Sequence, residues 1–430
     1  MSTIARRPHS SASGAAAYLR RFRTIRRRSE ELASPLPVED QVVQSMADVS
    51  PTRWHLAHTT WFFETFVLQP FAKKYQPFCE DFGLLFNSYY QGAGPRFERA
   101  RRGTLGRPTV ATILEYRAHV DEALTHLLET TEFRQELSSI LEVGLQHEQQ
   151  HQELILTDIK HVLASNPLHP VYRSDCAPLD DSNTAEAPCR WLTISGGVYQ
   201  IGYRGSQFCF DNEEPRHNVF VHAFQLASRP VNCGEYIEFI DDGGYQDPRW
   251  WLSEGWSWVE QHEISTPLYW SRRDDSWWTM TLGGLRKIDP LEPMVHLSYF
   301  EADAYARWAG ARLPTEAEWE IASESVSWAG NFADSNRFHP AIDPELSTAS
   351  TTPRQLFGDV WEWTSSAYGA YPGFKPWNGV LGEYNGKFMC NQFVLRGGSC
   401  ATPADHIRNT YRNFFPPDAR WQFSGLRLAR

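Results

Sequence analysis

The chain has 430 residues, and its 52 acidic residues outnumber its 41 Lys and Arg residues, giving a formal net charge of -11. This acidic balance argues against a general nucleic-acid-binding protein. No run approaches the roughly 18 apolar residues of a membrane span, no signal-peptide core is present, and the 7 cysteines form no Cys-x-x-Cys pair. The sequence therefore predicts a protein of the reducing cytoplasm without membrane or nucleic-acid partners.

The first part of the chain has helical periodicity. Residues 1–13, rich in Ser, Ala and Arg, are predicted to form a mobile tail. Apolar residues at helical spacing then recur in four blocks, at 15–33, 37–70, 109–129 and 131–165. Because four helices of this length fold most simply as a bundle, we predict a helical bundle over residues 14–165.

Two histidines one helical turn apart, His147 and His151, lie in the fourth block. Residues four apart on a helix are about 5–6 Å apart at Cβ, so the two imidazoles share one face. A third histidine, His58, lies in an aromatic helix for which Ser50 is the predicted cap and Pro51 the first residue. Three imidazoles without cysteine leave positions open for other ligands, which suits catalytic zinc or non-haem iron.

The same stretch has a second interpretation. His147, Glu148 and His151 match the zinc-protease signature His-Glu-x-x-His, in which the glutamate is the general base. The extended form of that signature has Gly and His where this chain has Leu154 and Thr157. A zinc hydrolase is therefore the less favoured alternative.

A loop separates the second and third helical blocks, because residues 86–96 are rich in Gly and Pro. It contains Tyr89 and Tyr90. A loop that joins bundle helices can lie over the mouth of a metal pocket. From the residues alone, however, packing is favoured over a catalytic role for this pair.

The composition changes in the second half of the chain. Residues 166–188 are polar and are predicted to be a linker. From 189 to 430, Gly, Pro and Trp punctuate short β-like runs such as 191–194 and 198–202, and helical stretches occur near 232–241, 299–309 and 316–323. The predicted fold class is therefore a helical bundle followed by an irregular α+β domain.

Three blocks in this second half carry a family resemblance. They are residues 312–320 (RLPTEAEWE), 358–363 (GDVWEW) and 396–399 (RGGS), followed by 425–427 (GLR). They resemble the signatures of the formylglycine-generating-enzyme (sulfatase-modifying factor) domain, a C-type-lectin-like fold. The bundle, with its three histidines, is similar to the DinB-like domain. Joined in this order, the two resemble the ergothioneine-biosynthesis sulfoxide synthases of the EgtB type over nearly the entire chain.

The resemblance implies a mononuclear non-haem iron(II) enzyme that uses O2 to couple a thiol to the imidazole C2 of hercynine (trimethylhistidine), giving a sulfoxide. Carried over position by position, the iron ligands are His58, His147 and His151. Gln150 matches the glutamine that reaches hercynine through water, and Asn413 matches the asparagine that contacts the substrate.

Aromatic residues complete the implied site. Phe414 and Phe415 are suited to hold the trimethylammonium group, which cannot donate a hydrogen bond and is best bound by ring faces. In one branch of the family a catalytic tyrosine comes from the lectin-like domain, whereas in another a Tyr-Tyr pair follows the second bundle helix. Tyr89 and Tyr90 resemble the second branch and become the catalytic candidates, with a fallback at Tyr368 and Tyr371.

The thiol co-substrate is the point at which the chain departs from the pattern. The branch that uses γ-glutamylcysteine has an acidic residue where this chain has Phe415. Free cysteine is therefore predicted over γ-glutamylcysteine, and the candidates to hold its carboxylate are Arg96, Arg99, Arg101 and Arg102. An ovothiol-type sulfoxide synthase acting on histidine shares the iron site but usually carries a methyltransferase extension, and it is the alternative within the same chemistry.

Overall fold

The structure, a computed structural model, describes residues 12–131, 134–176, 188–344 and 350–430. Residues 1–11 of the predicted tail and 177–187 of the predicted linker lie outside these residues. The chain divides into two compact units. The first contains Met1–Asn166, Arg204–Asp211 and Lys375–Lys387, and the second contains Pro167–Tyr203, Asn212–Phe374 and Phe388–Arg430.

The first unit is built on long helices. Its helices are α1 (Ala12–Ala33), α2 (Thr52–Phe63), α3 (Gln69–Phe71), α4 (Phe82–Phe86), α5 (Val110–Thr130) and α6 (Gln135–Ser165). One π-helical turn, Glu64–Leu68, joins α2 to α3. Helices α1, α2 and α5 pack against one another, and α1 and α2 also pack on α6. Within the described residues, no helix is both long and apolar enough to cross a membrane.

The start of α2 differs from the prediction. Residues 37–51 contain a short 3-10 turn at Asp40–Val42 instead of the helix predicted there, because Pro51 would lie in the interior of a helix over 37–70, where it lacks the N–H that the helix uses. Ser50 does not cap α2 either, since Pro51 holds the N-cap position without a side-chain hydrogen bond. The Ser50 side-chain oxygen accepts from Arg102 at 2.9 Å instead. The Ser50 backbone N–H donates to a carboxylate oxygen of Asp158 at 2.8 Å.

Helix α6 lies at the centre of the first unit and is buried on almost every side. Its buried apolar residues include Leu141, Leu145 and Ile155, but its buried polar residues include Gln146, His147, Glu148, Gln149, His151, Gln152 and Asp158. Buried polar groups are unfavourable unless they have partners. The partners of these side chains therefore decide what each face of α6 does.

The second unit is a mixed α+β domain. Its strands are β1 (Trp191–Ile194), β2 (Gly197–Ile201), β3 (His217–Val221), β4 (Phe224–Ala227), β5 (Trp270–Arg273), β6 (Ser276–Thr281), β7 (Gly284–Lys287), β8 (Trp361–Ala367), β9 (Phe393–Arg396), β10 (Asn413–Phe415) and β11 (Ser424–Gly425). In the described part of the chain they form four small sheets, ordered β1-β4, β2-β3, β5-β6-β7 and β10-β9-β8-β11. All pairs are antiparallel except β11 with β8, which is parallel.

The helices of the second unit are α7 (Cys233–Asp241), α8 (Ser253–Gln261), α9 (Tyr299–Trp308) and α10 (Glu316–Ser323). The predictions of α7, α9 and α10 are confirmed. Each begins with a capping box, at Asn232, Ser298 and Thr315, which satisfies the first free N–H groups. The sequence analysis missed α8, which begins after Leu252 without a side-chain cap.

The sequence blocks that carry the family resemblance hold one another in a buried network. The Trp319 indole N–H donates to Glu362 at 2.8 Å, and the same carboxylate pairs with Arg427, also at 2.8 Å. Glu320 pairs with Arg396 at 2.7 Å. These blocks therefore stabilise the second unit, and the predicted fold class, a helical domain followed by an α+β domain, is confirmed.

Candidate metal centre

Three histidines from two helices of the first unit lie together. His58 is on α2, His147 and His151 are on α6, and one ring nitrogen of each lies within 4.8 Å of the others. The Nε2 atoms of His58 and His147 are 3.1 Å apart. Only 0–5% of each residue is exposed. In the part of the chain that the structure describes, this is the one group of three or more His, Cys, Asp or Glu residues arranged to hold a metal.

Burial keeps these imidazoles neutral. It lowers the pKa of His147 from its ordinary value of 6.5 to about 4. Burial, with the neighbouring His147, also lowers the pKa of His58 and that of His151 well below the ordinary value. Neutral imidazole is the form that binds a metal, so all three side chains can act as metal ligands at pH 7.

The packing around His58 fixes its orientation. Its Nδ1 donates to the carbonyl oxygen of Phe86 at 2.5 Å, so its Nε2 carries the free lone pair. The Trp54 ring stacks on His58 with the centroids 4.6 Å apart and the planes 15° apart, and Trp61 stacks on it at 5.6 Å. His151 is held differently, by a hydrogen bond between its Nδ1 and the Nδ1 of His55 at 2.9 Å.

The donor set fits an iron or zinc ion with open positions. Two nitrogens, each about 2.1 Å from one ion and at a right angle, would be about 3 Å apart, close to the 3.1 Å between His58 and His147. No cysteine or carboxylate joins the three imidazoles in the cluster. A closed structural zinc site uses four protein ligands, whereas three imidazoles are typical of a catalytic centre.

Glu148 lies on another face of α6 from this centre. Its Oε1 accepts from Ser29 at 2.7 Å and from Arg117 at 3.0 Å, and its Oε2 accepts from Arg26 at 3.0 Å. Burial alone would raise the pKa of Glu148, but Arg26 and Arg117 outweigh it and lower the pKa to about 2. A carboxylate held by two guanidinium groups is a poor general base, which argues against the zinc-hydrolase alternative.

Of the two loop tyrosines, Tyr89 has the ring contact with a histidine of the centre. Its ring centroid is 6.4 Å from that of His58. Tyr90 packs at 5.3 Å from Phe66 and 6.0 Å from Trp61. Burial raises the pKa of both phenols, so both stay protonated at neutral pH. The catalytic role of either tyrosine stays a prediction.

A third tyrosine, which the sequence analysis missed, belongs to the first unit. The Tyr384 ring lies 5.3 Å from that of Tyr89, and its hydroxyl donates to the Gln150 side-chain oxygen at 3.5 Å. Burial raises the pKa of Tyr384 to about 12. Because Tyr384 and Gln150 are 234 residues apart in the sequence, no local pattern brings them together.

Glu383 holds the segment that carries Tyr384 in place. Its carboxylate accepts the backbone N–H groups of Gln91 at 2.8 Å and Gly92 at 2.9 Å. Lys387 donates to the carbonyl oxygen of Tyr89. The segment 375–387 is therefore tied to the loop that contains the tyrosine pair.

The remaining predicted substrate residues lie in the second unit. Asn413, Phe414 and Phe415 form β10, and the Asn413 side-chain oxygen accepts from the Phe414 N–H at 2.9 Å. The Phe414 ring stacks on Tyr368 at 4.0 Å, and Phe415 lies 5.9 Å from Trp421. The structure leaves all three partly exposed, and their contact with hercynine stays a prediction.

Among the four candidate arginines, Arg102 differs from the others because it is 3% exposed. Its guanidinium lies 3.3 Å from the Trp54 ring centroid and donates to the hydroxyls of Ser50 and Ser88 at 2.9 and 3.0 Å. Its Nε has no partner, and among the described residues no carboxylate lies within ion-pair distance. Burial, and to a smaller extent the positive charge of Arg99, lowers the pKa of Arg102 to about 9.

Comparisons with known proteins agree with this two-part architecture. Residues 179–352 and 353–430 match the sulfatase-modifying factor enzyme 1-like domain, and residues 21–155 match the DinB superfamily. A hercynine oxygenase of Mycolicibacterium thermoresistibile is 37% identical over 255 residues, which are 54% of this chain and 56% of that protein. One of Mycolicibacterium smegmatis is 34% identical over 310 residues, covering 66% of this chain and 70% of that protein.

A more distant relative is ergothioneine biosynthesis protein 1 of Schizosaccharomyces pombe, 29% identical over 236 residues, which are 52% of this chain and 28% of that protein. Fold and site together define a DinB-like bundle with a three-histidine centre, joined to a sulfatase-modifying factor domain. The chain belongs to the EgtB-type family that includes the hercynine oxygenases. Since it spans 56% of the length of the first of these relatives, its activity, substrates and partners are proposals.

Proposed function

We propose that the protein is a non-haem iron(II), O2-dependent sulfoxide synthase that joins the imidazole C2 of hercynine to the sulfur of a thiol in ergothioneine biosynthesis. The observation that carries this proposal is the convergence of three buried, neutral imidazoles, all within 4.8 Å, without a cysteine or carboxylate among them. The names of the hercynine oxygenase relatives support hercynine as the substrate.

The reaction balances with O2 as the oxidant. The C2–H bond of hercynine and the S–H bond of the thiol break, and a C–S bond forms. One oxygen atom of O2 goes to the sulfoxide, and the other leaves as water with the two hydrogens. Iron(II), held by His58, His147 and His151, would supply the one-electron chemistry that O2 requires, and the three imidazoles leave positions for other ligands.

The protein would bind hercynine through a few polar contacts and ring faces. Gln150 would contact the substrate through water, and Asn413 would bind it directly. The trimethylammonium group offers no donor, so the rings of Phe414 and Phe415 would hold it, at about 0.5–2 kcal/mol each. Holding both reactants side by side removes much of the entropic barrier of a bimolecular step.

A phenol would supply the proton that the oxygen chemistry needs. The partners of Tyr89 support it as a candidate, because its ring lies near His58 on one side and near Tyr384 on the other. Tyr90 is the second candidate from the loop. Without a proton donor, oxidation of the thiol alone would compete with formation of the C–S bond.

The thiol partner is proposed to be free cysteine. Phe415 stands where the γ-glutamylcysteine branch has an acidic residue. Arg102 supports binding of a single carboxylate, because it is a buried cation whose guanidinium contacts hydroxyls and an aromatic ring but no carboxylate of the described residues. A guanidinium binds a carboxylate through two parallel hydrogen bonds.

The direct test mixes iron-loaded protein with hercynine and cysteine without air, then admits O2. We expect a product whose mass is that of hercynine plus cysteine plus one oxygen atom, less two hydrogens, and O2 uptake in proportion. Cystine as the only sulfur product, or no O2 uptake, contradicts the proposal.

Two competition experiments refine the substrates. With equal concentrations of cysteine and γ-glutamylcysteine, we expect the cysteine adduct to predominate. Replacing hercynine with histidine tests the ovothiol-type alternative, and we expect little product, because histidine lacks the trimethylammonium group that the aromatic residues would bind. Preference for histidine would favour that alternative.

A further inference from the structure

A fourth histidine lies next to the metal centre but is not one of its three ligands. His55 is one turn before His58 on α2 and is 2% exposed. Its Nδ1 lies 2.9 Å from the Nδ1 of His151, and its Nε2 lies 3.0 Å from an oxygen of Asp158. His55 therefore bridges a candidate ligand and a carboxylate.

The carboxylate at the end of this chain is itself buried and tightly held. Asp158 is 3% exposed and lies two turns after His151 on α6. The oxygen that contacts His55 also accepts the Ser50 backbone N–H at 2.8 Å, and the other oxygen accepts from Thr157 at 3.3 Å. Among the described residues, no Lys or Arg pairs with it, since its one ion-pair contact is His55. A buried carboxylate without such a partner is costly, and the His55 contact offsets part of that cost.

Hydrogen-bond polarity assigns the tautomers along this chain. An ionised carboxylate only accepts, so His55 Nε2 carries a proton and donates it to Asp158. The Nδ1 of a neutral His55 is then an acceptor. His151 must therefore donate from its own Nδ1, which leaves the lone pair on its Nε2.

We infer that His55 and Asp158 form a positioning relay, which holds His151 in the tautomer that binds a metal through Nε2. The relay also places a negative charge two hydrogen bonds away from a centre that has no carboxylate ligand. His58 is oriented by a neutral backbone carbonyl instead. Outer contacts of this kind typically change metal affinity about 10–100-fold. The inference rests on the proposed function only in requiring that the three-histidine cluster binds metal.

The test measures metal affinity, by competition of the protein with a chelator for Co(II) and for Fe(II). We expect His55→Phe, which keeps a ring but removes both hydrogen bonds, to weaken binding about 10–100-fold. His55→Gln can accept from His151 and donate to Asp158, so we expect it to keep most of the affinity. The matched control is His161→Phe, on α6 like His151, where the ring contacts Ser45 and Ser165.

A second measurement reads the tautomer directly. Nitrogen-15 NMR of histidine-labelled, metal-free protein should show His151 protonated at Nδ1 in the wild type. In His55→Phe that signal should change, even where thermal melting shows a folded protein. A wild-type His151 protonated at Nε2 would overturn the inference.

The outcomes separate this inference from the proposed function. If His55→Phe binds Co(II) as tightly as the wild type, or if His55→Gln is as weak as His55→Phe, the relay is wrong. If His58→Ala loses metal in the same assay, the assignment of the three histidines as metal ligands still holds. Wild-type binding by His58→Ala would instead contradict the metal centre and the proposed function with it.

Discussion

Helix α6 has two faces of opposite chemistry, one that carries His147 and one that carries Glu148. His147 and Glu148 are neighbours in the sequence, which places them about 100° apart around the helix axis. Both oxygens of Glu148 have donors, from Ser29, Arg26 and Arg117. On the histidine face, by contrast, the Nδ1 of His147 has no hydrogen-bond partner among the described residues.

The difference shows how buried polar residues can serve structure or chemistry. The Glu148 face consists of charges that neutralise one another and join α6 to α1 and α5 through Arg26 and Arg117. The histidine face is neutral and retains lone pairs that a metal can use. The His-Glu-x-x-His pattern therefore joins two functionally unrelated faces in this chain, and the glutamate belongs to the structural one.

The largest expected effect is on the histidine face. Replacing His58, His147 or His151 with Ala should remove stoichiometric metal, a loss exceeding the roughly 100-fold caused by changes outside the ligand set. Metal analysis and the sulfoxide assay measure this, and circular dichroism checks the fold. The exposed His126 provides the control variant His126→Ala. Full metal content in all three ligand variants would refute the assignment of this face.

The next effect concerns the phenols near that face. Tyr89→Phe or Tyr90→Phe should shift turnover from sulfoxide towards thiol oxidation, because loss of a general acid typically costs about 10²–10⁴-fold. The ratio of sulfoxide to disulfide product is the measurement, and Tyr384→Phe is the comparison that the structure adds. Unchanged ratios in both loop variants would place the proton donor elsewhere, with Tyr384 next to be tested.

A substitution on the Glu148 face should lower the stability of the protein. Glu148→Gln removes the buried carboxylate that two guanidinium groups share. Because Arg26 still pairs with Asp121 and Arg117 with Glu30, we expect a loss of about 3 kcal/mol in the free energy of unfolding. Urea denaturation measures it, and metal bound per folded molecule should not change. The control is Glu31→Gln, because the side chains of Glu31 and its partner Arg27 are 51% and 71% exposed, and we expect about 0–1 kcal/mol there. If Glu148→Gln lost turnover while its stability was unchanged, Glu148 would instead be a general base.

The smallest effect is the pH dependence of the metal-free protein. The pKa of His147 is about 4 in the folded protein against an ordinary value of 6.5, so the unfolded chain binds more protons between these values. Stability should therefore fall as the pH drops from about 6.5 to 4, by up to about 1.4 kcal/mol per pH unit from His147. Urea denaturation at pH 7 and pH 5 measures it.

Bound metal should reduce this loss, because it competes with protons for the imidazoles. His147→Gln should show a shallower dependence on pH than the wild type. An equal slope in the variant would mean that His147 does not carry the effect.

Much of the site could be predicted because it rests on local rules. The spacing of His147 and His151 put both on one helix face, and the aromatic surroundings of His58 placed it inside the bundle. The predictions that were wrong depended on competing contacts. Ser50 resembles a helix cap, but its side-chain oxygen accepts a hydrogen bond from Arg102, 52 residues away. Tyr384 was missed because its contacts with Tyr89 and Gln150 also join residues that are distant in the sequence.

By itself, the sequence determined the helical bundle, the α+β second half and the three histidines that are candidates for metal binding, because helical periodicity and motif order are properties of neighbouring residues. Only the tertiary structure decided that Glu148 faces arginines, that His55 bridges His151 and Asp158, and that residues 375–387 join the first unit. These outcomes depend on which distant side chains satisfy a buried polar group, and no local pattern specifies that choice.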